Sequence, residues 1–453
     1  MKDVALEKLL RFTKQFVKLR TLGHLWNALI KLHYADVATL IEHLSPSERQ
    51  IVFQLFFDRK LEPPKFSEII SEIKPEIAVE ILSNFEIKNI VPILNELSSD
   101  DAASLIPLFD EELQINILKQ MKNEEAVDLQ EQLSYPEESA GRIMSSDFLA
   151  LAETTTAADA ISAIQLAGED VEVPFYLYVI DEEERLIGVV SLKQLILIKS
   201  RMKLKDIMNS EVYKVDVFTD QEEVASVVAN YNLLAIPVVD DLNKLVGVVT
   251  VDDVIDIIHD EATEDIYKLA GVTQDYSVEM GVGKSIVKRM PWLFLSLFTA
   301  SFSALVITLF KGTIEEFITL AVIMGMVNAI GGVVGNQTVA IMVREIVIGT
   351  MEWKKTKKIL FKEMLVSFGN GIIIGIFASL VTFLFFKDWR IGIIFGGAIL
   401  FNLINGTFFG TIVPYILKKI KLDPALASGL IVTMLTDSLG LLFFLGVSSM
   451  ILV

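Results

Sequence analysis

This chain is expected to be multidomain: an all-α superhelical N-terminal domain, a duplicated α+β module and an α-helical transmembrane domain of five spans. Three observations lead there. Charge divides the 453 residues sharply. From Val287 onward there are 14 Lys and Arg against 8 Asp and Glu, which leaves 26 against 51 before it. The acidic front contains an internal repeat. The apolar back contains five segments, each long enough to cross a hydrocarbon core of about 30 Å. A front this acidic repels nucleic acid and attracts cations, so cations and the lipid bilayer are the expected partners, with no nucleic acid. The chain has no Cys, hence neither disulfides nor thiolate metal sites.

Residues 1–135 read as helices, with apolar positions three and four apart in the stretches beginning at Asp36, Ile77 and Asp101. Ser45, Ser98 and Asp110 each precede acids in a first helical turn, the usual chemistry of a helix start. The N-terminus mixes acids among its apolar residues and has no signal-peptide core, so the front is expected in the cytoplasm.

Residues 136–200 and 201–262 repeat one another. Ile143-Met144 recurs as Ile207-Met208, and Leu186-Ile-Gly-Val-Val-Ser191 as Leu245-Val-Gly-Val-Val-Thr250. Each half offers a helix, an apolar strand, an acidic turn (from Asp181 or Asp240), a second strand and another helix. Residues 263–286 read as a connecting helix and a turn at the membrane surface. Gly281-Val-Gly-Lys-Ser285 is no phosphate loop, since Val278 stands where a glycine is required.

Residues 287–453 hold the spans, expected at about 291–310, 317–343, 364–386, 391–417 and 425–453. Lys354, Lys355, Lys357, Lys358 and Lys362 lie between the second and third spans, and Lys418, Lys419 and Lys421 between the fourth and fifth. The alternate loops carry Lys311, and Lys387 with Arg390. Positive-inside bias therefore puts the N-terminus in the cytoplasm and the C-terminus outside. The second span carries Asn328, Asn336 and Gln337 among glycines, and the fourth carries Asn402 and Asn405. Glycines alone favour close helix packing, whereas amides need partners and are expected to line a pore. In the fifth span Asp437 lies about 20 Å from Pro424, near mid-membrane. A carboxylate there costs a few kcal/mol or more, so it is expected to face water, a cation or a basic partner. Arg344 is the candidate partner on another span. The histidines His24, His33, His43 and His259 have no ligand spacing and no nucleophile–base pair stands out, so no enzyme is expected.

The repeats resemble a tandem cystathionine-β-synthase (CBS) pair, a regulatory module that commonly binds adenine nucleotides such as ATP. In that family a hydroxyl and an acid hold the ribose. Gly247, Thr250 and Asp253 match the pattern, while the first repeat has Gly188 and Ser191 but Gln194 in place of the acid. The whole order of parts is similar to the MgtE family of magnesium channels. The resemblance is carried by Tyr135-Pro-Glu-Glu-Ser-Ala-Gly-Arg-Ile-Met144, Val251-Asp-Asp-Val254, Glu261-Ala-Thr-Glu-Asp265, Arg289-Met-Pro-Trp292 and Asp423-Pro-Ala-Leu-Ala-Ser-Gly429. It implies a homodimer in the plasma membrane that takes up Mg2+, with Asp437 and the Thr433 carbonyl on the ion. It also implies closure by cytoplasmic Mg2+ at Asp100, Asp101, Asp252, Asp253, Asp256, Glu264 and Asp265. This sequence departs from the family pattern at Val333 (usually Asn), Gly325 (Pro), Leu430 (Pro) and Ser104 (Asp). Val333 keeps Mn2+ or Co2+ open as cargo, and a non-conducting sensor is the reading from another class.

Overall fold

The computed structural model describes residues 3–167, 175–272, 281–348 and 353–453. It divides into two compact units, residues 1–258 and 259–453.

In the first unit short helices follow one another from Asp3–Leu19 to Asn123–Gln132. The expected starts are found: Ser45 and Glu48 form a reciprocal capping box, and Ser98 and Asp110 stand at the N-caps of Ser99–Leu105 and Glu111–Gln120. Helices this brief are marginal alone and are held by a continuous apolar core that includes Val52, Phe53, Phe56, Phe66, Ile90 and Leu105.

Two three-stranded sheets follow. The first has β1 (Ala150–Ala152), β2 (Tyr176–Ile180) and β3 (Leu186–Ser191). The second has β4 (Val215–Asp216), β5 (Ala235–Val239) and β6 (Leu245–Thr250), each sheet ordered as numbered. In both, the first pair is parallel and the second antiparallel, with equivalent registers (Tyr176 opposite Ser191, Ala235 opposite Thr250). The hairpin turns repeat too. Asp181 Oδ1 accepts from the Glu183 and Arg185 amides, and Asp240 Oδ1 from those of Leu242 and Lys244.

The repeats exchange their Ile-Met segments. Met144, at the entry to the first repeat, lies on Gly247 of the second, and Met208 lies on Gly188 of the first. A Cβ at Gly188 would sit 2.8 Å from Met208 Cγ, so only glycine admits the methionine. Backbone bridges between Ser145 and Val248, and between Val189 and Asn209, reinforce the exchange.

The helix after β6 runs unbroken from Val251 to Leu269 and ends near Gly271, whose φ is +70°. The expected connecting helix is thus the extension of the last helix of the second repeat, since nothing from Val251 to Leu269 breaks a helix. Its second half includes residues 273–280, outside the described residues.

In the second unit five helices among the described residues are long and apolar enough to cross a membrane. They are Val282–Leu309, Ile318–Ile348, Trp353–Phe386, Trp389–Lys419 and Pro424–Leu452, here the first to fifth spans. Two begin earlier than expected. Lys284, Lys288 and Arg289 ride the opening turns of the first span, and Lys354 to Lys362 those of the third. At 34 residues the third helix is about 50 Å long, well beyond the hydrocarbon thickness, so its basic turns are helical yet outside it. The fourth span is central, with 67% of its apolar window buried against 0% for the first. Glycines bring its neighbours close: Gly406 and Gly410 meet the backbone of Gly331 and Gly335 of the second span. Gly325 and Gly332 face open space, so part of the second span's glycine run serves packing and part does not.

Candidate cation sites

Asp437 lies on the fifth span between buried Thr436 and half-buried Ser438. It is itself half-buried, and among the described residues no hydrogen-bond or ion-pair partner is found for its carboxylate. Arg344 is exposed and does not pair with it. One turn earlier the Thr433 hydroxyl donates to the Gly429 carbonyl (2.8 Å), and the Thr433 carbonyl accepts from the Thr436 hydroxyl (3.0 Å). That carbonyl, which the family resemblance puts on the ion, therefore already carries a side-chain hydrogen bond.

The five span amides separate into three groups. Asn336 and Gln337 are exposed on the outward face of the second span, which also presents Val322, Met326 and Val333. Asn336 stands by the fifth span, where a Cβ on Gly429 would lie 3.4 Å from its Oδ1. Asn328 is half-buried, and its Oδ1 is enclosed without a hydrogen-bond donor. Asn402 and Asn405 face inward. Asn402 has no exposed surface, donates to the Val327 carbonyl (2.8 Å) and accepts from Asn405 Nδ2 (3.3 Å). The expectation that these two line a pore meets side chains buried among the spans of the chain itself, because the fourth span is the central helix.

In the first unit Asp100 and Asp101 open the helix Ser99–Leu105, and Asp252 and Asp253 open the helix Val251–Leu269. The two acidic openings lie near each other. Burial pushes Asp101 from the ordinary 3.8 to about 7, with the Asp100 charge adding to it. Burial likewise pushes Asp253 to about 7, again with help from Asp100. Asp100 is raised chiefly by burial, with Asp252 contributing, and its Oδ1 has no partner among the described residues. Three raised carboxylates thus lie together beside the exposed Asp252, without a basic residue among the causes of the three shifts, an arrangement that suits a cation between them. Asp256 is exposed on the same helix. Ser104 hydrogen-bonds the Asp101 carbonyl (2.8 Å) and brings no charge to the cluster. Among the described residues no three acidic or histidine side chains are close enough to enclose an ion as they stand.

The Thr250 hydroxyl donates to the Asp253 carboxylate in a short contact that starts the following helix. Ser191 and Gln194 form the matching capping box in the first repeat. The pattern read as a ribose site is thus also a helix N-cap, and Gln194 preserves the cap without the acid.

A third cluster was not visible in the sequence. Lys268 bridges Glu264 (2.7 Å) on its own helix and Asp423 (2.6 Å), the N-cap of the fifth span. Glu264 is almost wholly buried in this pairing, and burial raises the pKa of neighbouring Asp265, with Asp423 adding. Only the four-residue spacing of Glu264 and Lys268 hints at it; Asp423 is far away in sequence.

Sequence models of known families match most of the chain: an intracellular N domain of MgtE over residues 32–138, CBS domains over 140–200 and 204–260, and MgtE, described as a divalent cation transporter, over 324–447. The magnesium transporter MgtE of Bacillus subtilis is 32% identical over 421 residues, covering 91% of this chain and 93% of that protein. The chain belongs to the MgtE family. Its Thermus thermophilus member, also a magnesium transporter, is 31% identical, with coverage of 93% and 94%. A crystal structure of the soluble part of a magnesium transporter overlays with a TM-score of 0.51 at 29% identity, covering 57% of this chain and 99% of that one. An MgtE chain with five apolar spans is a multi-pass membrane protein, and its family is one of transporters, not enzymes.

Proposed function

We propose that this MgtE chain conducts Mg2+ into the cell as a homodimer in the plasma membrane, through a path that passes Asp437. One observation carries this reading: a carboxylate near mid-membrane, half-buried and without a protein counter-charge among the described residues. Such a group is stable beside a hydrated ion and unstable against lipid. Mg2+ sheds water reluctantly, so a path for the mostly hydrated ion needs few charges and several oxygen acceptors. Asp437 and the amides of Asn336, Gln337 and half-buried Asn328 supply that chemistry, with the Thr433 carbonyl one turn away.

Cytoplasmic Mg2+ closes the path by bridging Asp100 and Asp101 to Asp252 and Asp253, where neighbouring carboxylates repel one another. Removing the ion leaves this repulsion unbalanced and drives the two acidic helix openings apart. The N-terminus is cytoplasmic and the C-terminus external, supported by the lysines at the starts of the first and third spans. An adenine nucleotide is proposed for the second repeat at Thr250 and Asp253, which would then trade their mutual hydrogen bond for a ribose.

Exposed Val333 on the outward face of the second span favours Mn2+ or Co2+ as an alternative cargo, because an apolar group there offers less hydration to the ion. Liposome flux of Mg2+, Mn2+, Co2+ and Ca2+ through the native chain and Asp437→Ala tests both readings. Flux unaffected by the substitution removes the path assignment, and a Mn2+ or Co2+ rate above that of Mg2+ establishes the alternative.

A further inference from the structure

The Asn402 amide is wedged among three spans. Nδ2 donates to the Val327 carbonyl, beside Asn328 on the second span. A Cβ on Gly331 would lie 2.5 Å from Asn402 Cγ, and one on Gly440 of the fifth span 2.5 Å from its Nδ2. The side chain thus fills the notch left by two glycines on different helices, with one hydrogen bond fixing its rotation and Asn405 holding its oxygen. Gly440 is one helical turn beyond Asp437 on the same helix. A buried amide this enclosed has few alternatives: moving it would orphan its donor or open a void, either of which is unfavourable.

We propose that Asn402 is a positioning residue for ion discrimination: it touches no ion, but sets the separation and rotation of the second and fifth spans at the level of Asn328 and Asp437. This rests on the reading that Asp437 faces the ion. A path whose oxygens must match the water shell of a mostly hydrated ion depends on how the two spans are set, to within about 0.5 Å, so the clamp acts on selectivity more than on throughput.

The test uses the full-length chain in liposomes, with Asn402→Ser (polar but too short to reach Val327) and Gly440→Ala (which pushes on the same amide from the fifth span). The readout is the ratio of Mg2+ to Ca2+ flux, alongside monodispersity and thermal unfolding. Both variants should lower the ratio by about five- to tenfold, the equilibrium scale of one buried hydrogen bond. A proportional fall in both fluxes, or an unchanged ratio in a folded variant, overturns the proposal. If neither variant folds, Asn402 serves folding alone and the proposal is equally overturned. Flux indifferent to Asp437→Ala removes the path reading itself, and that failure is recognised separately because it appears with Asn402 intact.

Discussion

Acidic groups are treated in opposite ways in the two units. In the first, burial raises the pKa of Asp100, Asp101 and Asp253; Asp100 adds to the other two, and exposed Asp252 adds to Asp100 and Asp253, with no basic neighbour among the causes. In the second, Glu264 and Asp423 share Lys268, whereas Asp437 has no ion-pair partner among the described residues. Massed acids make a site whose occupancy changes conformation, because an ion gains most where repulsion is greatest. A solitary acid makes a site an ion can leave, because it holds with one charge.

The sharpest way to break this contrast is Asp437→Asn, which keeps shape and removes charge. Mg2+ flux should fall by at least about 100-fold, equivalent to about 3 kcal/mol, with unchanged Mg2+ protection of the soluble part against protease. Loss of both together would merge the two kinds of site. Next in size, Asp100→Asn combined with Asp253→Asn should mimic the bound ion. Mg2+-free unfolding should shift upward by about 3 °C for each kcal/mol of relieved repulsion, and protease protection should cease to depend on Mg2+.

The pH dependence follows from Asp101 and Asp253. Acids raised from 3.8 to about 7 by folding favour the folded state while protonated. Their stabilisation is lost as pH rises from about 4 through 7. Without Mg2+, unfolding temperature should therefore be higher at pH 5.5 than at pH 8, and millimolar Mg2+ should narrow the gap. An equal melting temperature at both pH values would show that the cluster is not enclosed in solution. The smallest effect is expected of Lys268→Met. With its ammonium gone, Glu264 and Asp423 repel, so half-maximal closure should require a different Mg2+ concentration, by about threefold or less, read from flux against internal Mg2+.

Much of this was legible because the deciding physics is local. Ser45 with Glu48, the turns at Asp181 and Asp240, and the paired Ile-Met and Gly-Val-Val motifs act within a few residues, so their patterns survive in one dimension. The cost of burying Asp437 likewise needs only its neighbours in sequence. What was hidden depends on which side of a helix meets protein. The fourth span is apolar nearly all round, so nothing in its periodicity distinguishes an inward Asn402 from a pore-facing one. The third helix begins before its membrane span, because lysines mark the edge of the hydrocarbon, not the end of the helix. Lys268 is inconspicuous in the sequence because its second partner, Asp423, is brought near only by folding.

The exchange of Met144 and Met208 onto Gly247 and Gly188 has a consequence for assembly. Neither sheet is complete until its sibling has delivered a methionine, so the two halves of the duplication are obligate co-folders. Expressed singly, either half would present an empty slot and an unused sulfur-bearing arm, complementary to those of the other half. Co-expressed fragments should therefore find each other and form a stable pair, whereas each by itself should aggregate.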